Sequence, residues 1–201
     1  MVKNITVLSA VLVILAMGAC KKSNSGGSST TTNPLAGGTW NFVDLSSDAN
    51  LTATESGLIS GKIVDLTDFT TIDNSGTISF TADSMSGSGI GYTIDTTYTT
   101  YTTVGGTTDT VTTPYTTTIA PTTSSTSYQL IGTDSIYFGS GTPFAVSLYA
   151  GDTVKIEGAH FSISGNTLTL TSTIDQAGNV TYEGLTVPSV TQISSKIILS
   201  K

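Results

Sequence analysis

The sequence is poor in the side chains that most enzyme and metal sites need. Its 201 residues include one cysteine and one histidine, and no arginine occurs. A single cysteine excludes an internal disulfide, and a zinc site usually takes three or four Cys or His ligands. A hydrolytic triad needs an imidazole. A two-residue turn at Gly165-Asn166 would place His160, the single one, beside Ser162 and opposite Thr171 on a polar, exposed face. We therefore expect no enzyme, no metal and no cofactor.

Cations are also scarce: seven Lys+Arg stand against fourteen Asp+Glu, a net charge of −7. Nucleic acid is therefore not an expected partner, because phosphate binding needs clustered cations. A stretch resembling a phosphate loop, Gly57 to Ile63, is one residue too short and lacks the hydroxyl after lysine. Only 10% of the residues are charged, and helix-favouring runs are missing while Thr, Ser and Gly abound. This composition predicts an all-β exported protein.

The remaining candidates for a catalytic or metal site are three aspartates in one region, Asp65, Asp68 and Asp73. Paired carboxylates serve glycosidases, and clustered ones bind calcium. The alternating ligands and terminal glutamate of an EF-hand loop are absent here. Scattered turn aspartates are the simpler interpretation.

The first 19 residues have the plan of a secretory signal. Lys3 supplies a positive start, Ile5 to Met17 an apolar run, and Gly18-Ala19 a small-residue approach to Cys20. The run is too short to span a bilayer, which needs ~20 apolar residues. We predict that residues 1–19 are removed.

Met17-Gly18-Ala19-Cys20 resembles the lipobox of bacterial lipoproteins. That resemblance implies cleavage before Cys20, attachment of diacylglycerol to its thiol and acylation of its amine. With more than one acyl chain, membrane attachment is effectively permanent. Lys21 and Lys22 follow the cysteine, and no aspartate does. By the same resemblance this favours the outer membrane, without indicating on which face of that membrane the domain lies. The alternative is an ordinary signal peptide followed by a free thiol.

Beyond the cysteine, residues 20–36 are rich in Ser, Thr, Gly and Asn. Such a tract buries too little apolar surface to offset its ordering entropy, so we interpret it as a flexible tether. Residues 37–201 are then one β domain of ordinary size.

Short strands separated by turn residues fill this domain. The first, Gly38 to Asp44, has Trp40 and Phe42 on one face. Turn residues predict hairpins about Asp73 to Gly76, Gly132 to Asp134 and Gly165-Asn166, the last pairing Val154 to Ser164 with Thr167 to Ile174. Phe144 to Tyr149 fits a strand or a short helix, and Gly178 to Pro188 fits a strand or a loop. The whole pattern predicts an antiparallel meander of about eight to ten strands, either a closed barrel or a β-sandwich.

The most informative hairpin is the Thr/Tyr-rich segment 92–119, centred on Gly105-Gly106. A two-residue turn there would place Tyr92 opposite Ile119 and Val104 opposite Thr107. This register collects the apolar residues on one face: Tyr92, Ile94, Tyr98, Val104, Val111, Tyr115 and Ile119. Pro114 predicts an edge or a bulge, and Pro121 to Ser127 a closing loop. The alternative is a poorly ordered, low-complexity insert.

Four segments together resemble lipocalin-like domains of bacterial lipoproteins: Gly38-Thr39-Trp40, Asp73 to Gly76, Ser164 to Leu170 and Lys196 to Leu199. The resemblance implies an eight-stranded up-and-down barrel whose closed end is plugged by Trp40. In lipocalins an arginine near the last strand packs over that tryptophan. This chain has no arginine, and Lys196 is a cation nearby in the sequence.

The resemblance also implies non-catalytic binding of a small apolar ligand. Tyr92, Tyr98 and Tyr115 are the candidates for lining its site, although aromatic residues on one strand face more often form core. The runner-up is a structural or protein-interaction module of the cell envelope, with a packed interior and the Thr-rich hairpin as contact surface. An envelope hydrolase is a remote third.

Overall fold

A computed structural model describes residues 33–55, 61–139, 141–142, 144–149, 152–182 and 185–201. Its regular structure is all β, as predicted. The strands are β1 Gly38–Glu55, β2 Gly61–Thr70, β3 Ile72–Phe80, β4 Ser84–Val104, β5 Thr107–Ile131, β6 Ser135–Phe138, β7 Ala145–Tyr149, β8 Asp152–Lys155, β9 Gly158–Ser164, β10 Thr167–Tyr182 and β11 Leu185–Ser200.

Nine of these strands form one antiparallel sheet that closes on itself. Its order is β11-β10-β9-β6-β5-β4-β2-β1-β3, and closure comes from the pairing of β11 with β1. β2 and β3 occupy one position in the ring, because both pair with β1 and with β4 at successive levels. The predicted meander closing into a barrel is confirmed. β7 and β8 form a separate two-stranded sheet.

The hairpin predicted about Asp73 to Gly76 is wrong. The chain does not reverse there: β2 and β3 run on in the same direction along β1. Asp73 has a φ of 53°, and the Asn74 side-chain amide donates to the carbonyls of Val43 at 2.7 Å and Thr71 at 3.0 Å. The turn residues therefore make a bulge that bends one long strand, and the Asn74 amide binds that bulge to β1.

Gly76 allows β4 to approach this bend. Its φ is +100°, and a Cβ there would lie 2.5 Å from the carbonyl oxygen of Gly89. We expect Gly76→Ala to destabilise the protein by roughly 3 kcal/mol, measured by urea unfolding, because backbone strain and steric overlap both contribute. Gly89→Ala is the matched control: Gly89 has a φ of +64° with nothing near its Cβ, so only the strain remains. Equal losses in the two variants would contradict the steric part of this account.

The Thr/Tyr-rich hairpin is ordered as β4 and β5, and its predicted register is confirmed. Tyr92 lies opposite Ile119 and Val104 opposite Thr107. Gly105 and Gly106 have φ values of 57° and 83°, both positive as a type I′ turn requires. The closing loop predicted at Pro121 to Ser127 is wrong, because β5 continues to Ile131 and pairs with β4 beyond a bulge near Ile90.

The hydrophobic core fills the end of the ring where β1 begins. Its largest fully buried side chains are Trp40, Phe138, Phe144, Leu35, Leu45, Ile78, Met85, Ile90, Ile94, Ile136 and Ile156. Leu35 precedes the predicted domain start, and Asn33 donates to the Tyr128 hydroxyl at 2.6 Å. The folded part of the chain therefore includes Asn33 to Ala36.

The hairpin about Gly165-Asn166 also has its predicted register, with Leu168 opposite Ile163 and Thr171 opposite His160. The long strand expected before it, Val154 to Ser164, is instead broken into β8 and β9. Phe144 to Tyr149, which could be strand or helix from the sequence, contains the strand β7.

Candidate functional site

The wall of the ring is incomplete on one side. β6 pairs with β5 only over Tyr128 to Ile131, and β9 pairs with β10 only over Thr167 to Thr171. β5 and β10 are far longer than these pairings, with 25 and 16 residues. Beyond Thr171, β10 therefore has β11 on one side and no described strand on the other.

A cavity of about 1060 Å³ opens where β9 and β10 separate. Its lining comes from β1, β6, β9, β10 and β11, together with the last residue of β5: Leu51, Ile131, Ser135, Ile136, Glu157, Gly158, Ala159, His160, Thr171, Ser172, Thr173, Ile174, Asp175, Gln176, Gly178, Asn179, Val180, Ser189 and Thr191. Strand alternation divides these residues between the inside of the ring and its outer rim. The volume exceeds what one small organic ligand needs.

The lining combines apolar and hydroxyl side chains. Ile136 is buried, and Ile174 packs against the core. Ser172 and Ser189 add buried hydroxyl groups close to this apolar wall. Glu157 and Asp175 are exposed at the rim, and the lining contains no lysine. The cavity thus suits an apolar body with a polar group, and its electrostatics disfavour an anion.

His160 lies at the outer rim of the cavity and is exposed, as predicted. Its Nδ1 lies 3.0 Å from the Ser135 hydroxyl, which also lies 3.1 Å from the Asp134 carboxylate and donates to it. A serine hydroxyl has one proton, so with that proton on the carboxylate contact the Nδ1 tautomer is the donor to Ser135. In a nucleophilic dyad the serine would instead donate to the imidazole.

The three tyrosines predicted at a ligand site lie elsewhere. Tyr92 is 2% exposed and makes an edge-to-face contact with Phe42, with ring centroids 5.8 Å apart. Tyr98 and Tyr115 contact each other at 4.9 Å between centroids. Burial raises the pKa of Tyr98, and the neighbouring Tyr115 raises it further. None of the three lines the large cavity.

Trp40 is buried in the core at the end of the ring where β1 begins, with 1% of its surface exposed. The cation over its ring is Lys201, whose Nζ lies 4.3 Å from the ring centroid. Lys196 is exposed. Burial raises the pKa of the Asp44 carboxyl, and Lys196 lowers it less strongly. The Trp40 indole N–H is buried without an acceptor among the described residues.

The three aspartates considered for chemistry do not form a cluster. Asp68 and Asp73 are exposed, whereas Asp65 is half-buried opposite Leu51 and Thr100. One Asp65 oxygen is buried with no partner in the described part of the chain. Nowhere in that part do three or more His, Cys, Asp or Glu side chains come together as a metal site would require.

Cys20 and residues 1–32 lie outside the described residues, and so does the Gly57 end of the stretch resembling a phosphate loop. In the described ranges no helix has the length and apolarity needed to cross a membrane. Comparison with family models, with curated proteins and with solved structures finds no match for this chain.

Sequence reasoning missed the cavity because it depends on how far β10 extends past its pairing with β9, and because three lining residues, Gly178 to Val180, lie in a segment that the sequence left ambiguous between strand and loop. The useful signal was the change of inward residues along β10. They run from Leu168 and Leu170 to Ser172, Ile174, Gln176 and Gly178, so that core residues give way to mostly polar or small ones. Such a change indicates the level at which a barrel stops being packed solid.

Proposed function

We propose that this protein binds a small, largely apolar molecule non-catalytically in the cavity between β9 and β10. The observation that supports the proposal most directly is the cavity itself, which has a volume of about 1060 Å³. A barrel of about eight strands can hold one small ligand inside. The lipocalin-like pattern of the sequence supports the same function.

The preferred ligand has a neutral or cationic polar group. Glu157 and Asp175 line the rim, and no lysine lies among the lining residues to neutralise an anion. The chain as a whole carries a net charge of −7, which disfavours an anionic ligand further. We expect a long-chain amine or alcohol to bind more tightly than the carboxylate of the same chain length.

Gly178→Trp tests the location of the site. Gly178 lines the cavity, and a Cβ there meets only the Ser189 hydroxyl, at 3.7 Å. An indole therefore has room to enter the cavity and occupy part of the space that the ligand would use. We expect affinity for a long-chain amine, measured by calorimetry, to fall at least about tenfold, because the ligand loses its buried apolar contacts.

Gly61→Trp is the matched control. Gly61 also lies in a strand, with its nearest neighbour 3.6 Å from a Cβ, but it is not part of the cavity lining. This variant should bind as the natural protein does. Unchanged affinity in Gly178→Trp, with its melting temperature preserved, would exclude this cavity as the site.

We further propose that the domain acts at the outer membrane, held by acyl chains on Cys20. The support is the order of residues around Cys20 in the sequence, since residues 1–32 are not described. A ligand delivered to or taken from a lipid surface would then lie within reach of the domain.

A further inference from the structure

Among the described residues, one edge of the long strand β5 has no partner strand over most of its length. β4 pairs with it from Thr107 to Ser127, whereas β6 pairs with it only from Tyr128 to Ile131. Over Thr107 to Ile119 the pairing with β4 is regular, with no bulge. We call the opposite side of this regular stretch the β5 edge. An unprotected edge is a template for pairing with another strand.

The turn determines which backbone groups the β5 edge presents. In a two-residue hairpin the residues beside the turn form a hydrogen-bonded pair, and the two kinds of pair then alternate. Val104 and Thr107 are the residues beside the turn, so they form the first hydrogen-bonded pair. The backbone groups of the odd-numbered residues of β5 therefore form hydrogen bonds with β4. The even-numbered residues from Thr108 to Thr118 direct their N–H and C=O groups to the β5 edge. Pro114 is even-numbered, so its missing N–H costs the pairing with β4 nothing.

Two of the usual protections of an edge occur here, Pro114 and one charged residue, whereas lysine is absent. Asp109 is the one charged residue between Thr107 and Thr133, and no lysine occurs there. Val111, on the inward face, is 54% exposed, and no described strand pairs with the other side of β5 at its level. The net charge of −7 makes two copies repel, and this edge, with Asp109 as its one charged residue, is where that repulsion is weak enough for a second copy to approach.

We propose that two copies of this chain associate by antiparallel pairing of their β5 edges about a two-fold axis at Thr113. Thr113 is the midpoint of Thr107 to Ile119, so this is the one two-fold register that pairs the whole stretch. Val111 then lies opposite Tyr115 of the second copy, and Thr110 opposite Thr116 of the second copy. Every edge-facing N–H finds an acceptor, and only Pro114 contributes none.

Cysteine cross-linking tests this register, in a full chain carrying Cys20→Ser so that the introduced thiol is the only one. Thr113→Cys would lie opposite itself in a non-hydrogen-bonded pair, where Cα atoms are about 4.5 Å apart and a disulfide can form. Thr112→Cys is the control on the same strand, since its two copies would be diagonal neighbours about 7–8 Å apart. Under mild oxidation we expect at least about ten times more covalent dimer from Thr113→Cys.

Charge substitution gives an independent readout without cysteine. Val111→Lys should abolish the dimer in light scattering, because lysine replaces the apolar contact with Tyr115 of the second copy. Val104→Lys is the control: Val104 is 48% exposed on the same face of the hairpin but lies on β4, away from the edge. This variant should stay dimeric. A monomeric natural chain, equal cross-linking at Thr112 and Thr113, or a dimer unaffected by Val111→Lys would each overturn the proposal.

Discussion

Trp40→Ala should lower the free energy of unfolding by ~3–5 kcal/mol, because it removes the largest buried side chain from the closed end of the ring. Trp40 is 1% exposed, and on β1 it lies opposite Ile78 of β3. Its loss leaves a cavity among groups held by a closed sheet, which cannot collapse to fill it. In a chain of this size the melting temperature should fall by about 10 °C.

Two variants separate the parts of this effect. Lys201→Ala removes the cation above the ring and leaves the indole in place, so we expect a loss of about 1 kcal/mol. Tyr137→Ala removes an aromatic ring that is 45% exposed and should change stability by less than about 1 kcal/mol. An unaltered melting curve for Trp40→Ala would mean that the indole is not a buried plug.

Cys20→Ser should transfer the protein from the membrane fraction to the soluble fraction or leave it as an unprocessed precursor. The chain has no second cysteine, so no other thiol can receive the lipid. Labelling with radioactive palmitate should be lost. The melting temperature of the domain should stay the same, because Cys20 precedes the described part of the chain.

Ser25→Ala is the control for this experiment, since it changes the predicted tether without touching the thiol. It should keep both palmitate labelling and membrane fractionation. Should Cys20→Ser remain labelled and membrane-bound, the lipobox interpretation fails and an ordinary signal peptide becomes the better explanation. The ligand and dimer proposals would survive that result, because they depend on the domain alone.

The two hairpin registers were predictable because short turns leave little choice. Gly105-Gly106 permits the positive φ angles that a type I′ turn needs, and alternation then assigns every following residue to a face. Gly165-Asn166 acts in the same way for β9 and β10. The paired residues of each hairpin are no more than about thirty positions apart in the chain. The turn and the alternation that determine such local pairings can be identified from the sequence.

The errors arose where distant residues decide the outcome. Asp73 to Gly76 has the composition of a hairpin turn, yet a bulge uses the same residue types. What makes it a bulge is the contact of Asn74 with the carbonyl of Val43 and of Gly76 with the backbone of Gly89. Likewise Lys201, not Lys196, lies over Trp40, because side-chain position at a strand end depends on closure of the ring.

The sequence alone determined the all-β class, the meander order, the two short-turn registers and the buried position of Trp40. These properties follow from composition, alternation and turn chemistry, which act between neighbours. Only the tertiary structure decided where the ring is solid and where it opens, because that depends on how far each strand finds a partner. Alternation puts Ile94 and Val111 on the same face, but Ile94 is buried in the core, while Val111 is 54% exposed where β5 has no described strand on one side.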